Sequence, residues 1–470
     1  MNRNRELKAS IFYLIGNIST KAIAFVTIPI FTRMLSTTEY GVVNTYSSWV
    51  SIVSVIVNLS LFDSFRTAFS DDNAHFESYC ASTIRLSGIF SFGALILATL
   101  GVIIFPSIRH NAWMIYACIL QAYGTFCLTS MSTKYLLQFQ YLKRAFCMIV
   151  PNFVCAGLAV VLMYYHSVNR YVWRIASYVF VYTFIIIITL WSCRKEPTEM
   201  SYWRKAICFS IPLVFHGLSL VILSSSDRIM ITAMSGASES GVYSLVYNLG
   251  LVSMAISTSL EGIWVPWFIK KFKEKKYILI NKKAHYLIEN ITVVVICIML
   301  VSPEILQVMA SEQYWSGKPI LFPIIVASYI MFLYDLAVNV ELQSSATSKI
   351  AQNTIVAALT NLLLNFILIP FWGAIAAAYT TVIAYSVSLI MHYYYAQKIA
   401  PGIFPMKEIA PYLGIVLCVS LLCGYIWKID FAWLRWGTAL VIGLVYLILM
   451  FWKRRFIAFQ IRINDTDALE

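Results

Sequence analysis

Residues 293–301 read Val-Val-Val-Ile-Cys-Ile-Met-Leu-Val, without one polar side chain to interrupt them. A strand of a membrane barrel would alternate apolar and polar residues over about ten positions. A run that is apolar on every side instead predicts a helix with apolar surroundings. The composition of the whole chain is similarly apolar, because 60% of its 470 residues are apolar and only 12% are charged. Soluble domains average about 25% charged residues, so a soluble enzyme, a nucleic-acid-binding domain and a disordered chain are excluded.

Apolar stretches long enough to cross a bilayer recur along the chain. A crossing needs about 20 mostly apolar residues, and the sequence offers about fourteen such stretches. They lie at 10–32, 42–65, 83–105, 112–133, 146–166, 172–192, 206–226, 242–268, 286–303, 319–340, 352–370, 372–395, 409–428 and 432–452. The sequence therefore predicts an all-α, polytopic membrane protein with about fourteen transmembrane helices and a tight turn at 370–372.

Lysine and arginine concentrate in alternate loops, which fixes the predicted orientation. The densest cluster is Lys270, Lys271, Lys273, Lys275, Lys276, Lys282 and Lys283. The predicted outer segments and helix ends hold only Arg33, Arg109, Arg170, Arg174, Arg228, Lys318, Lys428 and Arg435. Loops rich in Lys and Arg stay in the cytoplasm, so both termini are predicted to be cytoplasmic. The net charge of +13 then reflects topology and a neighbouring lipid bilayer, with no nucleic acid implied.

A repeat with an offset of 200 residues is visible. Residues 34–42 read Met-Leu-Ser-Thr-Thr-Glu-Tyr-Gly-Val, and residues 234–242 read Met-Ser-Gly-Ala-Ser-Glu-Ser-Gly-Val. Six predicted spans separate the copies, and an even number gives both the same orientation in the membrane. This pattern predicts two parallel six-helix lobes around a central cavity. Residues 1–200 would hold spans 1–6, 201–400 spans 7–12, and 401–470 spans 13–14 with a cytoplasmic tail.

The repeated segment also has a purely local interpretation. A serine or threonine caps the helix that follows, and Glu39 lies in its first turn, where the helix dipole favours an anion. The capping interpretation explains these residue types without any bound substrate.

The opening of the chain resembles the bacterial polysaccharide-unit (Wzx-like) flippases of the multidrug/oligosaccharidyl-lipid/polysaccharide exporter superfamily. The matching stretches are Lys8-Ala-Ser-Ile-Phe-Tyr-Leu-Ile-Gly-Asn17, Lys21-Ala-Ile-Ala-Phe25, Pro29-Ile-Phe-Thr-Arg33-Met-Leu-Ser36 and Glu39-Tyr-Gly41. Ser226-Asp-Arg-Ile-Met230 with Gly241-Val-Tyr243 resembles the start of that family's second lobe.

The resemblance implies a flippase in the bacterial inner membrane that moves an undecaprenyl-diphosphate-linked oligosaccharide from the cytoplasmic to the outer leaflet. The cargo would be a repeat unit of O-antigen, capsule or exopolysaccharide. It implies alternating access, exchange against a proton or sodium ion, and no catalytic residue or cofactor. A polysaccharide polymerase and a chain-length regulator would be partners. Many members of the family have twelve spans, so the role of spans 13–14 stays open.

Ionisable residues inside predicted spans are the candidate site residues, because a buried charge normally faces a cavity or a partner. A diphosphate attracts Lys and Arg, and sugars need hydrogen-bonding and stacking surfaces. The candidates for substrate binding are Lys21, Arg33, Arg66, Arg228, Asn17, Tyr46 and Tyr247. The candidates for ion coupling are Asp335, Glu261 and His216. Each has a structural alternative: Lys21 could pair with Glu261, the arginines could reach headgroups, and the aromatic residues could simply pack.

Other functions fit the residues less well. A multidrug exporter of the same superfamily would share the lobes, but its cavity would more often be acidic or aromatic. A polymerase would be expected to carry a large outer loop, and the longest predicted one, 302–319, is short. For an acyltransferase, His216 and His392 lack a companion motif. For a glycosyltransferase, Asp465-Thr-Asp467 lies in a polar tail. No GxxxxGK[ST] phosphate-binding loop is present.

Overall fold

The computed structural model describes residues 22–71, 75–250, 252–344, 347–404, 406–426 and 432–452. Within these ranges the regular elements are α-helices and short 3-10 helices, and no strand occurs. Eleven helices of the described residues are long and apolar enough to cross a membrane. A helix pairs its backbone polar groups internally, as lipid requires. The all-α membrane class predicted from the sequence is confirmed.

The chain divides into two compact units, one ending at Gly241 and one beginning at Val242. In the first unit, α1 covers Ala22–Met34. It is followed by α2 Thr37–Asn58, α3 Phe65–Asp71, α4 Phe76–Ile104, α5 Ala112–Leu137, α6 Tyr141–Tyr165, α7 Arg170–Cys193 and α8 Met200–Met234. Short 3-10 helices, Leu61–Ser64 and Pro106–Asn111, precede α3 and α5.

The next helix, α9, covers Ala237–Gly250 and so begins in the first unit and ends in the second. The second unit continues with α10 Val252–Lys273, α11 Tyr277–Met309, α12 Lys318–Gln343, α13 Thr347–Ile399, α14 Met406–Ile426 and α15 Ala432–Trp452. A 3-10 helix, Glu312–Gly317, precedes α12.

The short predicted span 286–303 is the middle of a longer helix, α11, which has 33 residues. The predicted span 242–268 covers parts of α9 and α10, and residue 251 between them lies outside the described residues. The described part of the predicted first span lies in α1. A span count of fourteen therefore stays a prediction.

The tight turn predicted at 370–372 lies inside α13. This element of 53 residues is two helices that meet at Gly373, whose φ of 57° and ψ of −141° are not helical. Glycine adopts positive φ readily because it has no Cβ, and the nearby Pro370 lacks a backbone N–H. The two halves of α13 thus correspond to the two predicted spans that flank the turn.

Large apolar side chains cover the outside of several helices. On α4, Phe92 is 65% exposed and Leu97 is 70% exposed, and Phe371 on α13 is 78% exposed. Soluble monomers rarely expose contiguous apolar surface on this scale. These faces suit hydrocarbon, and the protein is a multi-pass membrane protein.

The predicted cap at the start of α2 is confirmed. The Ser36 side chain accepts a hydrogen bond from the Glu39 backbone N–H at 3.2 Å, and the Glu39 carboxylate accepts from the Ser36 backbone N–H at 3.1 Å. This reciprocal arrangement is a capping box, which satisfies two donors that the helix leaves without partners. It fixes where α2 begins.

Replacing Ser36 with alanine should lower the free energy of unfolding by about 1 kcal/mol, because an N-cap side chain is lost. The measurement is the thermal unfolding midpoint of the purified protein in detergent. Thr38→Ala is the matched control, because Thr38 is exposed in the same turn. Equal midpoints for the two variants would contradict a stabilising cap.

Candidate functional site

The two copies of the repeated segment meet where α2 and α9 begin. A Cβ on Gly41 would overlap the carbonyl oxygen of Ala237, and a Cβ on Gly241 would overlap the carbonyl oxygen of Thr37. Under the offset of 200, Gly41 corresponds to Gly241 and Thr37 to Ala237. The glycine of each copy therefore meets the residue four positions before the glycine of the other copy, as in a contact with two-fold symmetry. Only glycine permits this backbone approach.

Hydroxyl groups surround this glycine contact. The side-chain oxygens of Thr37 and Ser238 lie 2.8 Å apart, and those of Thr45 and Thr232 lie 2.6 Å apart. The Ser240 hydroxyl donates to the backbone carbonyl of Arg228 at 3.1 Å. These bonds join α2 to α8 and to the start of α9. A hydroxyl can exchange such a partner for water with little loss of enthalpy.

The described cations predicted in the first unit lie on three different helices. Arg33 is exposed near the end of α1 and donates to the Pro29 carbonyl at 2.9 Å. Arg228 is half-buried on α8, where its backbone carbonyl accepts from Ser240. Arg66 is exposed on α3. Asp63 lies in the preceding 3-10 helix. Burial raises the pKa of its carboxyl, and the Arg66 charge partly offsets this.

Two predicted sugar-binding tyrosines are buried. The Tyr46 hydroxyl donates to Gln121 Oε1 on α5 at 2.8 Å. In the second unit, the Tyr247 ring lies 5.8 Å from the Tyr243 ring. Burial of these two tyrosines is consistent both with simple packing and with a role in lining a polar binding site.

The ion-coupling candidates lie partly outside the described residues. Asp335 is half-buried on α12, and its backbone carbonyl accepts from the Asn339 side chain at 2.9 Å. His216 lies on α8 and Glu261 on α10, but their side chains are not among those described. Asn17 and Lys21 lie outside the described residues altogether.

Arg174 is a buried cation that was not among the predicted site residues. Arg174 was assigned to an outer helix end, but it is buried in the first unit. Its guanidinium lies 3.8 Å from the Phe31 ring centroid and 4.6 Å from that of Tyr178, and it donates to the Tyr178 hydroxyl at 2.7 Å. Its Nη1 is buried without a hydrogen-bond partner in the described part of the chain. A desolvated guanidinium with spare donors attracts anions, so Arg174 joins the candidates.

A second polar network in the first unit links three helices. Asn58 on α2 donates to the Ala122 carbonyl on α5 at 3.2 Å and accepts from Ser87 on α4 at 2.7 Å. All three positions are buried. Buried polar groups that bond across helices specify one packing arrangement. The network holds the end of α2 that lies away from Gly41 against α4 and α5.

The family model for polysaccharide biosynthesis proteins matches residues 7–272, more than half of the chain. Among curated proteins, protein 1 of the Lsg locus of Haemophilus influenzae is 21% identical over 347 residues, covering 71% of this chain and 84% of that protein. The capsular polysaccharide biosynthesis protein CapF of Staphylococcus aureus is 21% identical over 208 residues, covering 43% of this chain and 52% of CapF.

Solved structures share the fold. The lipid II flippase MurJ, in an inward closed conformation, superposes with a TM-score of 0.72 and 12% identity, covering 95% of this chain and 99% of MurJ. An inward-facing multidrug resistance transporter of the MATE family gives a TM-score of 0.57 and 12% identity, covering 82% and 95%. The resemblance found in the opening motifs is thus confirmed. The chain belongs to the polysaccharide biosynthesis protein family, and it has the transporter fold shared by MurJ and MATE proteins.

Proposed function

We propose that the protein is a flippase that moves an undecaprenyl-diphosphate-linked oligosaccharide from the cytoplasmic to the outer leaflet of the bacterial inner membrane. The observation that carries the proposal is the reciprocal contact of Gly41 and Gly241 at the repeated segment, in a chain of the polysaccharide biosynthesis family. A contact that can separate, between two copies of one motif, is what alternating access requires.

The proposed cycle uses two lobes, residues 1–200 and 201–400, which rock about a cavity between them. The glycine contact closes the outer side of this cavity while the cargo enters from the cytoplasmic leaflet. Separation of the contact then opens the outer side. Spans 13–14 lie outside the repeat, and both chain termini stay in the cytoplasm. No bond of the cargo is made or broken in this cycle.

Charge selects the cargo in this proposal. The diphosphate is drawn to cationic side chains, among them Lys21, Arg66 and the buried Arg174. Tyr46, Tyr247 and Asn17 are proposed for the sugar chain, and Arg33 and Arg228 for the headgroup near the outer surface. Asp335, Glu261 and His216 are proposed to bind the coupling proton or sodium ion.

The second candidate function is multidrug export. The similarity to a MATE transporter favours it at the level of fold. The cationic candidates favour an anionic cargo instead, because drugs handled by acidic or aromatic cavities are mostly cations.

A deletion strain tests the proposal directly. Surface polysaccharide and the sidedness of undecaprenyl-linked intermediates would be measured together. We expect loss of surface glycan with intermediates that face the cytoplasm, and plasmid-borne wild-type protein should restore both. Intermediates that reach the outer face without polymerising would indicate a polymerase, and unchanged glycan would favour the drug exporter.

A further inference from the structure

A buried acid and a buried histidine meet in the second unit, where neither had a predicted companion. Glu341 lies near the end of α12, and His392 lies in the second half of α13. The histidine Nδ1 is 3.0 Å from Glu341 Oε2 and 3.3 Å from the side-chain nitrogen of Asn353 in the first half of α13. Glu341 and Asn353 are 0% exposed and His392 is 1% exposed.

The Glu341 and His392 side chains share one hydrogen. Glu341 Oε2 and His392 Nδ1 are 3.0 Å apart, and two bare acceptors do not bond each other, so one of the two atoms carries the hydrogen. Two arrangements satisfy this contact: a protonated Glu341 that donates to Nδ1, and an Nδ1–H that donates to the Glu341 carboxylate.

Two unpartnered oxygens favour the arrangement with a protonated Glu341. Glu341 Oε1 and Asn353 Oδ1 are buried and have no hydrogen-bond partner among the described residues. A carboxylate with one bare, desolvated oxygen is far costlier than a neutral carboxyl with a bare carbonyl oxygen. The cluster therefore favours the uncharged state as long as it stays dry.

Uncharged aromatic rings flank His392 among the described residues. The Tyr334 ring stacks on His392 at 5.7 Å, and Tyr385 packs on Tyr334 at 6.0 Å. Three ionisable side chains on neighbouring elements contact groups other than Glu341. They are His285 of α11 with Tyr412 of α14, Lys271 of α10 with Glu274, and Lys349 of α13 with Gln352 and Tyr395.

We propose that Glu341, His392 and Asn353 form a proton-binding site, in which Glu341 holds one proton while α12 and the two halves of α13 are packed together. When these helices separate, water reaches Glu341, the O–H bond breaks, and the proton passes to water and leaves a carboxylate. The role of this proton in transport rests on the proposed flippase function. It makes the proton the coupled ion and adds a site that the sequence candidates did not include.

Infrared spectroscopy of the purified protein at neutral pH tests the site without any transport. We expect Glu341→Gln to remove the carbonyl band of one protonated carboxyl group. Glutamine keeps a donor toward Nδ1, so the variant should fold, which its thermal midpoint checks. Glu312→Gln is the control, because Glu312 is exposed, and it should remove only a carboxylate band. If Glu341→Gln also removes only a carboxylate band, or if sodium chloride abolishes the protonated band, the proposal is overturned.

Transport in proteoliposomes tests the coupling separately. The probe is an undecaprenyl-diphosphate-linked oligosaccharide with an imposed pH gradient. Wild-type protein should respond to the gradient and Glu341→Gln should not, since a proton that binds neither state preferentially cannot bias the cycle. A variant that still responds overturns the coupling role. If neither protein moves the lipid, the flippase function fails, and the infrared result still decides the proton site.

Discussion

Replacing Gly41 with alanine should abolish most surface polysaccharide. The added methyl group would overlap the carbonyl oxygen of Ala237, which belongs to the backbone and cannot move aside as a flexible side chain can. Overpacking of this kind costs about 1–3 kcal/mol. A penalty of that size lowers the population of the closed contact about 5–150-fold. Gly241→Ala should have the same effect, because the contact is reciprocal. The readouts are surface glycan and membrane protein level.

Gly93→Ala on α4 is the matched control for both glycine variants. No atom lies within 4 Å of a Cβ at Gly93, and alanine is a better helix former than glycine. This control should keep wild-type glycan. Normal glycan in Gly41→Ala and Gly241→Ala, at normal protein levels, would mean that closure of this contact is not needed.

A disulfide across the same contact tests whether it must also open. The side-chain oxygens of Thr37 and Ser238 are 2.8 Å apart, so cysteines at these positions place two sulfur atoms within bonding reach. Thr37→Cys with Ser238→Cys should lose transport under oxidising conditions and regain it with reductant. Each single cysteine variant serves as the control and should be insensitive to oxidant.

Lys21→Ala should also abolish surface polysaccharide while leaving membrane insertion intact, and so should Arg66→Ala. A hydrogen bond to a charged group contributes about 1.5–3 kcal/mol. Its loss should slow transport by roughly one to two orders of magnitude if the diphosphate is the partner. Surface glycan and the amount of protein in the membrane are the two measurements.

The control variants separate the effect of the positive charge from other effects of the substitutions. Lys21→Arg should retain activity where Lys21→Ala does not. Lys143→Ala removes an exposed lysine whose charge lies 5.6 Å from the Tyr135 ring centroid, and it should have no effect. Wild-type glycan in both Lys21→Ala and Arg66→Ala would reject a cationic path for the cargo.

Features set by neighbouring residues could be predicted from the sequence. Long apolar runs gave the helices, since lipid leaves the backbone no other way to pair its polar groups. Ser36 and Glu39 are three positions apart, so the spacing of the capping box could be read from the sequence. The turn predicted at 370–372 ends one residue before Gly373, where the two halves of α13 meet. The repeated glycines were visible as a pattern, although their mutual contact was not.

Features set by distant residues could not be predicted. Glu341 and His392 are 51 positions apart, and a pair at that separation leaves no periodic trace. Arg174 resembled a helix-end cation because its burial depends on Phe31, from another helix. Gly250 lies inside the predicted span 242–268, and a Cβ there would meet the side chain of Ile324 on α12. Tertiary packing decided each of these cases.

The glycine contact affects the free-energy difference between the closed and open arrangements of the proposed transport cycle. Neither Gly41 nor Gly241 has a rotamer, so joining and parting them reorders no side chain and costs no rotamer entropy. The hydroxyls beside them exchange one partner for water at little expense. In the proposed cycle, the closed and open arrangements would then lie close in free energy, and the modest binding preference of one lipid-linked cargo molecule would shift the population from one to the other.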